Sequence, residues 1–118
     1  MKLRIRGNSV RLRLLRSEVG RLASVGEVSE SVDFGGSQFT FKIEAGTVQI
    51  GASFAGGTIT VTVPESEIRE WAESEDKIGI EADSDGLEIL IEKDFACPTR
   101  KDDPDNLDAF ANPEAVCT

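Results

Sequence analysis

A chain of 118 residues can bury one substantial core, and 39% hydrophobic with 30% charged residues describe a single soluble domain, not a disordered tail or a membrane span. Its formal charge of −9 argues against general nucleic-acid binding, because each phosphate contact needs a cation. The lack of histidine and tyrosine removes the usual general base, the Ser-His-Asp arrangement and the commonest zinc ligand.

The opening residues alternate charged and apolar types without a continuous apolar run, so no secretory signal is read and the expected compartment is the cytoplasm. From Lys2 to Leu14 the period is two on either side of Gly7-Asn8-Ser9. Leu3, Ile5, Val10, Leu12 and Leu14 share one face, and Arg4, Arg6, Arg11 and Arg13 share the other, which predicts a β-hairpin. With Asn8-Ser9 as a two-residue loop, Ile5 faces Leu12. Ser17 is then read as the cap of a helix of about two turns, with Val19, Leu22 and Ala23 on its buried side.

Four further strands follow, carrying Val28, Val32 and Phe34; Phe39, Phe41 and Ile43; Val48, Ile50, Ala52 and Phe54; and Ile59, Val61 and Val63. Turns at Gly35-Gly36, Ala45-Gly46 and Gly56-Gly57 would set Val32 opposite Phe39, Ile43 opposite Val48 and Phe54 opposite Ile59, giving an antiparallel meander with one buried face. Pro64 opens a second helix with Ile68, Trp71 and Ala72 inward, and Glu65 and Glu67 suit its positive end. A last hairpin pairs Ile78, Ile80 and Ala82 with Leu87, Ile89 and Ile91 across Asp83-Ser84-Asp85-Gly86.

Residues 10–22 align without a gap on residues 59–71, and Ser17-Glu18 falls on Ser66-Glu67. Val28 would then correspond to Ile78, and Phe39 to Ile89. The economical account is a duplicated ββαββ unit with halves at about 1–45 and 46–95. The expected fold is therefore α+β, mostly β: eight antiparallel strands closed into a barrel, or folded as two sheets in a sandwich, with two short helices plugging the ends. The barrel is the favoured closure, and its layout is analogous to the cyclophilin-like barrels, an analogy that implies no activity. Residues 96–118 carry three prolines and an acidic cluster, and read as an irregular tail on the domain formed by residues 1–95.

Charge is unevenly spread, at net +6 over residues 1–21 and −15 over residues 22–118. Arg4, Arg6, Arg11 and Arg13 are the candidate ligand-binding residues, either for an anionic ligand or acidic protein, or as a solvated face paired with acidic neighbours. Glu92 and Asp94 lie on the face opposite Ile91, where they can meet those arginines. In the tail, Cys97 and Cys117 can be free thiols, a disulfide, or ligands of a metal ion together with Asp94 and Asp108, although two cysteines without histidine make an incomplete zinc set. Asp103, Asp105 and Glu114 match positions 1, 3 and 12 of a calcium loop, but Leu107 and Asp108 break the pattern.

Met1-Lys-Leu-Arg-Ile-Arg-Gly-Asn-Ser-Val-Arg-Leu-Arg-Leu14, with Ile91-Glu-Lys-Asp-Phe-Ala-Cys97, resembles a family of small uncharacterised bacterial proteins, a domain of unknown function, over nearly the whole chain. That resemblance implies no activity; it singles out Gly7-Asn8-Ser9 and Lys93 to Cys97 as characteristic segments. The expected function is a non-enzymatic binding or interaction module without a resident cofactor. The alternatives are a metal-binding or redox protein using Cys97 and Cys117, and a peptidyl-prolyl isomerase by fold analogy, for which the usual arginine, phenylalanine and histidine constellation is missing.

Overall fold

The computed structural model describes residues 1–46, 48–96 and 104–111. In chain order the elements are β1 (Lys2–Arg6), β2 (Ser9–Leu14), α1 (Arg16–Val25), β3 (Glu27–Asp33), β4 (Gln38–Ala45), β5 (Gly51–Ala55), β6 (Thr58–Val63), α2 (Glu65–Glu73), β7 (Gly79–Ser84) and β8 (Leu87–Lys93). A single 3-10 turn follows at Pro104–Leu107. No helix among the described residues is long and apolar enough to cross a membrane.

The strands form two mixed four-stranded sheets, ordered β1-β2-β8-β7 and β3-β4-β6-β5. This corrects the antiparallel meander and the closed barrel, and with the barrel the cyclophilin-like layout. β2 pairs β8 in parallel, and β4 pairs β6 in parallel. Alternation alone cannot select a neighbour, because its period of two is the same in either direction. Burial selects it instead. β2, β8, β4 and β6 carry Leu12, Leu14, Ile89, Ile91, Phe41, Ile43, Val61 and Val63, all buried, and the central places go to these four strands. Val48, expected opposite Ile43, is 93% exposed and precedes β5. The remaining strands stay at sheet edges, where the charges of Lys2, Arg4 and Arg6, and of Glu81 and Asp83, discourage pairing with an edge of like charge.

Within the hairpins the expected faces hold, while two registers move. Val32 faces Phe39 and Phe54 faces Ile59 as read from the spacing. In the first hairpin Ile5 faces Val10 and Leu3 faces Leu12, so the turn is Gly7-Asn8. In the last, Ile80 faces Ile91 across a tighter Asp85-Gly86 turn in which both residues have positive φ. Both shifts are of two residues, which leaves every side chain on its original face. Gly57 is required for space: a Cβ there would lie 2.9 Å from the Gln38 carbonyl oxygen.

The two helices pack against each other, α1 also against β2, β3 and β4 and α2 against β7, instead of plugging two separate ends. Val19 and Leu22 of α1 and Ile68 and Trp71 of α2 join one core with both sheets. Trp71 also donates from Nε1 to the Ile78 carbonyl at 2.9 Å. Leu15, not Ser17, holds the position before the first turn of α1, and its side chain has no oxygen to offer. Glu18 compensates by accepting the Leu15 N–H at 2.9 Å. The Met1 ammonium, bonded to Glu18 and to Glu30 of β3, ties the start of β1 to α1 and to the second sheet.

The connections repeat with the halves exchanged between sheets. Lys2 pairs with Arg13 where Gly51 pairs with Thr62, and Val10 with Ile89 where Ile59 pairs with Phe41. The bonds that close the helix crossovers repeat too: Ala45 N–H to Gly26 carbonyl at 2.9 Å and Lys93 N–H to Ile78 carbonyl at 3.1 Å. These equivalences place Ile89 against Phe41 and Ile78 against Gly26, two residues from the expected match on each strand.

Candidate ligand-binding face

The outer face of the β1-β2-β8-β7 sheet is built in three rows by strand register. One reads Arg6, Ser9, Glu88, Asp83; the next Arg4, Arg11, Leu90, Glu81; the third Lys2, Arg13, Glu92, Gly79. Alternation along each strand brings these side chains to one side. The face is consequently basic over β1 and β2 and acidic over β8 and β7. A groove of about 690 Å³ runs across it, lined among others by Arg4, Arg6, Arg11, Glu81, Asp83 and Glu88. By contrast, the outer face of the other sheet presents mainly hydroxyls, including Ser31, Thr40, Thr58 and Thr60.

The four arginines expected to act together do share this face, but their surroundings differ. Arg11 and Arg13 both reach Glu92, Arg11 by a hydrogen bond and Arg13 at 3.5 Å. That is the pairing expected from the sequence. No described carboxylate forms an ion pair with Arg4 or Arg6. Register also opposes like charges directly, Lys2 to Arg13 and Arg4 to Arg11, an arrangement that costs a few tenths of a kcal/mol per pair, up to about 1. Glu92 relieves Arg11 and Arg13, and Arg4 is left to solvent or to a ligand. Glu81, Asp83 and Glu88 were not anticipated in the site. Their alternation was readable, but the parallel pairing of β2 with β8 that brings them to the arginines was not.

Asp94 and Asp108, the carboxylates proposed as metal ligands, have other partners. Asp94 Oδ2 lies 3.0 Å from Lys2 Nζ, which is also 3.6 Å from Asp105. Asp108 closes the open end of α1: its carbonyl accepts the Arg16 N–H at 2.8 Å, and its carboxylate accepts the Ser17 N–H at 3.0 Å and the Ser17 hydroxyl. Cys97 and Cys117 lie outside the described residues, as do Asp103 and Glu114. Among the described residues no three metal-ligating side chains come together. Asp108→Ala is expected to destabilise the fold by about 1 kcal/mol while Asp108→Asn, which keeps an acceptor, costs less. Urea denaturation of the two variants checks this, and equal losses would contradict a capping role.

Lys93 is the buried cation that sequence reading passed over, although it follows Ile89 and Ile91 in the inward register. It is 5% exposed, donates from Nζ to the Ser74 carbonyl at the end of α2 at 2.6 Å, and lies 5.3 Å from the centre of the Phe110 ring. The position suits the negative end of the helix and two aromatic faces, those of Trp71 and Phe110. Burial, and then the charge of Arg16, nevertheless hold its ammonium below the ordinary 10.5, against the opposing pull of Glu75. A lowered lysine costs stability below its folded pKa, and the cost disappears as pH rises from there toward 10.5, because only the unfolded chain still binds the proton. Wild type should gain on Lys93→Met across that window in pH-resolved denaturation; a constant difference would refute the linkage.

Several large apolar side chains are exposed: Ile5 at 58%, Phe34 at 70% and Phe54 at 68%. Phe54 stays near Phe39, with ring centres 6.5 Å apart.

No curated protein and no solved structure matches the chain significantly. Residues 1–114 do match one family, so the chain belongs to DUF7009, a family of unknown function.

Proposed function

We propose that this protein is a non-enzymatic cytoplasmic binding module that holds an acidic protein segment or small anionic ligand on the outer face of the β1-β2-β8-β7 sheet. The observation that carries the reading is the pair Arg4 and Arg6, exposed on an edge strand, facing a groove and without an ion-pair partner among the described residues. A solvated arginine opposed to another arginine gains from a bound carboxylate, whereas one already paired must exchange partners. The acidic far side of the groove limits how long a polyanion can lie across it and so adds selectivity. The same reading takes the two halves as copies of one ββαββ unit, with the binding face confined to one sheet because only that sheet carries the arginines.

Fluorescence anisotropy with labelled decaglutamate tests this. The double variant R4E/R6E should bind at least tenfold more weakly than wild type at low salt, and added salt should weaken wild type. Unchanged affinity in R4E/R6E, with its melting curve intact, would overturn the reading.

A further inference from the structure

β1 offers more than its charges. It ends its sheet, and beyond the β2 ladder none of its backbone groups bonds to the backbone of another described residue. Its start is held by the Met1 ion pairs, so the edge is already in strand conformation before any partner arrives. Along that edge Arg4 and Arg6 line the groove, with Lys2 on the same face, while Leu3 and Ile5 face the core side, Ile5 with more than half its surface in water.

Resting on the binding reading above, we infer that the partner is an extended acidic segment that adds to β1 as a fifth strand, with carboxylates and aliphatic side chains in alternation. Main-chain hydrogen bonds to the open edge supply the docking geometry. Each carboxylate on the groove side meets Arg4 or Arg6, and each aliphatic residue on the other side covers Ile5 and continues the core face. The other edges do not suit this partner. β7 carries Glu81 and Asp83, β3 carries Glu27, Glu30 and Asp33, and β5 carries no cation.

The test uses the full chain and the hexapeptide acetyl-Glu-Val-Glu-Val-Glu-Val-amide, prepared also with N-methyl groups on its odd residues or on its even residues. In a strand added to one edge, alternate N–H groups point at the protein, so one methylated form should lose at least tenfold in affinity and the other should keep it. Ile5→Ser should weaken the unmodified hexapeptide severalfold and leave decaglutamate binding unchanged. If both methylated forms bind alike, or the hexapeptide does not bind while decaglutamate still depends on Arg4 and Arg6, strand addition is wrong and the binding face stands. If neither peptide binds, both readings fall.

Discussion

Replacing Trp71 by alanine is expected to remove about 4 kcal/mol of stability, a large part of what a small domain has. The ring is fully buried where α2 meets the core, with Ile68 on the same helix and Leu22 of α1 in the same cluster. Truncation leaves a cavity the size of the indole and removes one of the two hydrogen bonds that the Ile78 carbonyl accepts, from Trp71 Nε1 and from the Lys93 N–H. It also takes away one of the two rings beside Lys93. Trp71→Phe retains most of the volume and should cost clearly less, leaving chiefly the lost hydrogen bond. Because this is the only tryptophan, circular dichroism in urea is the suitable readout. Equal losses in the two variants would show that the indole volume is not what matters.

Glu92→Gln is expected to lower stability by about 2 kcal/mol and, at the same time, to raise anion affinity. Glu92 is 17% exposed in its side chain and serves Arg11 and Arg13, themselves only 30% and 21% exposed. Glutamine keeps an acceptor but no charge. Arg11 then faces Arg4 and Arg13 faces Lys2 with their shared neutralising carboxylate gone. A bound carboxylate can take its place, so decaglutamate should bind severalfold tighter to Glu92→Gln than to wild type. Destabilisation should be smaller in high salt, where the repulsion is screened. A variant as stable as wild type, with unchanged anion binding, would mean that the arginines are already neutralised elsewhere.

Much of this arrangement was readable from residue spacing. The alternation of Arg4, Arg6, Arg11 and Arg13 against Leu3, Ile5, Val10 and Leu12 fixed a hairpin with one charged face, and a two-residue error in its turn changed no side. Pairing of Glu92 with the arginines also followed from alternation. What local pattern could not supply was adjacency. The central β2–β8 and β4–β6 pairs join strands far apart in sequence and run parallel, so no turn residue announces them. For the same reason the acidic half of the groove was missed. Asp108 illustrates a second limit: α1 lacks a capping side chain of its own, and the substitute comes from a segment 91 residues away in the chain. A helix end and a cation both attract a carboxylate, so residue type alone does not show that Asp108 closes the start of α1.

The central claim is that ligand enters on the arginine face. Amide chemical-shift mapping during a decaglutamate titration tests it most directly. The account predicts that the largest shifts fall on Arg4, Ile5, Arg6, Arg11 and Leu90, and vanish in R4E/R6E. Shifts centred instead on Phe34 and Phe54, or on Asp94 and Phe110, would contradict it and move the site to the exposed aromatic side chains or to the segment after β8.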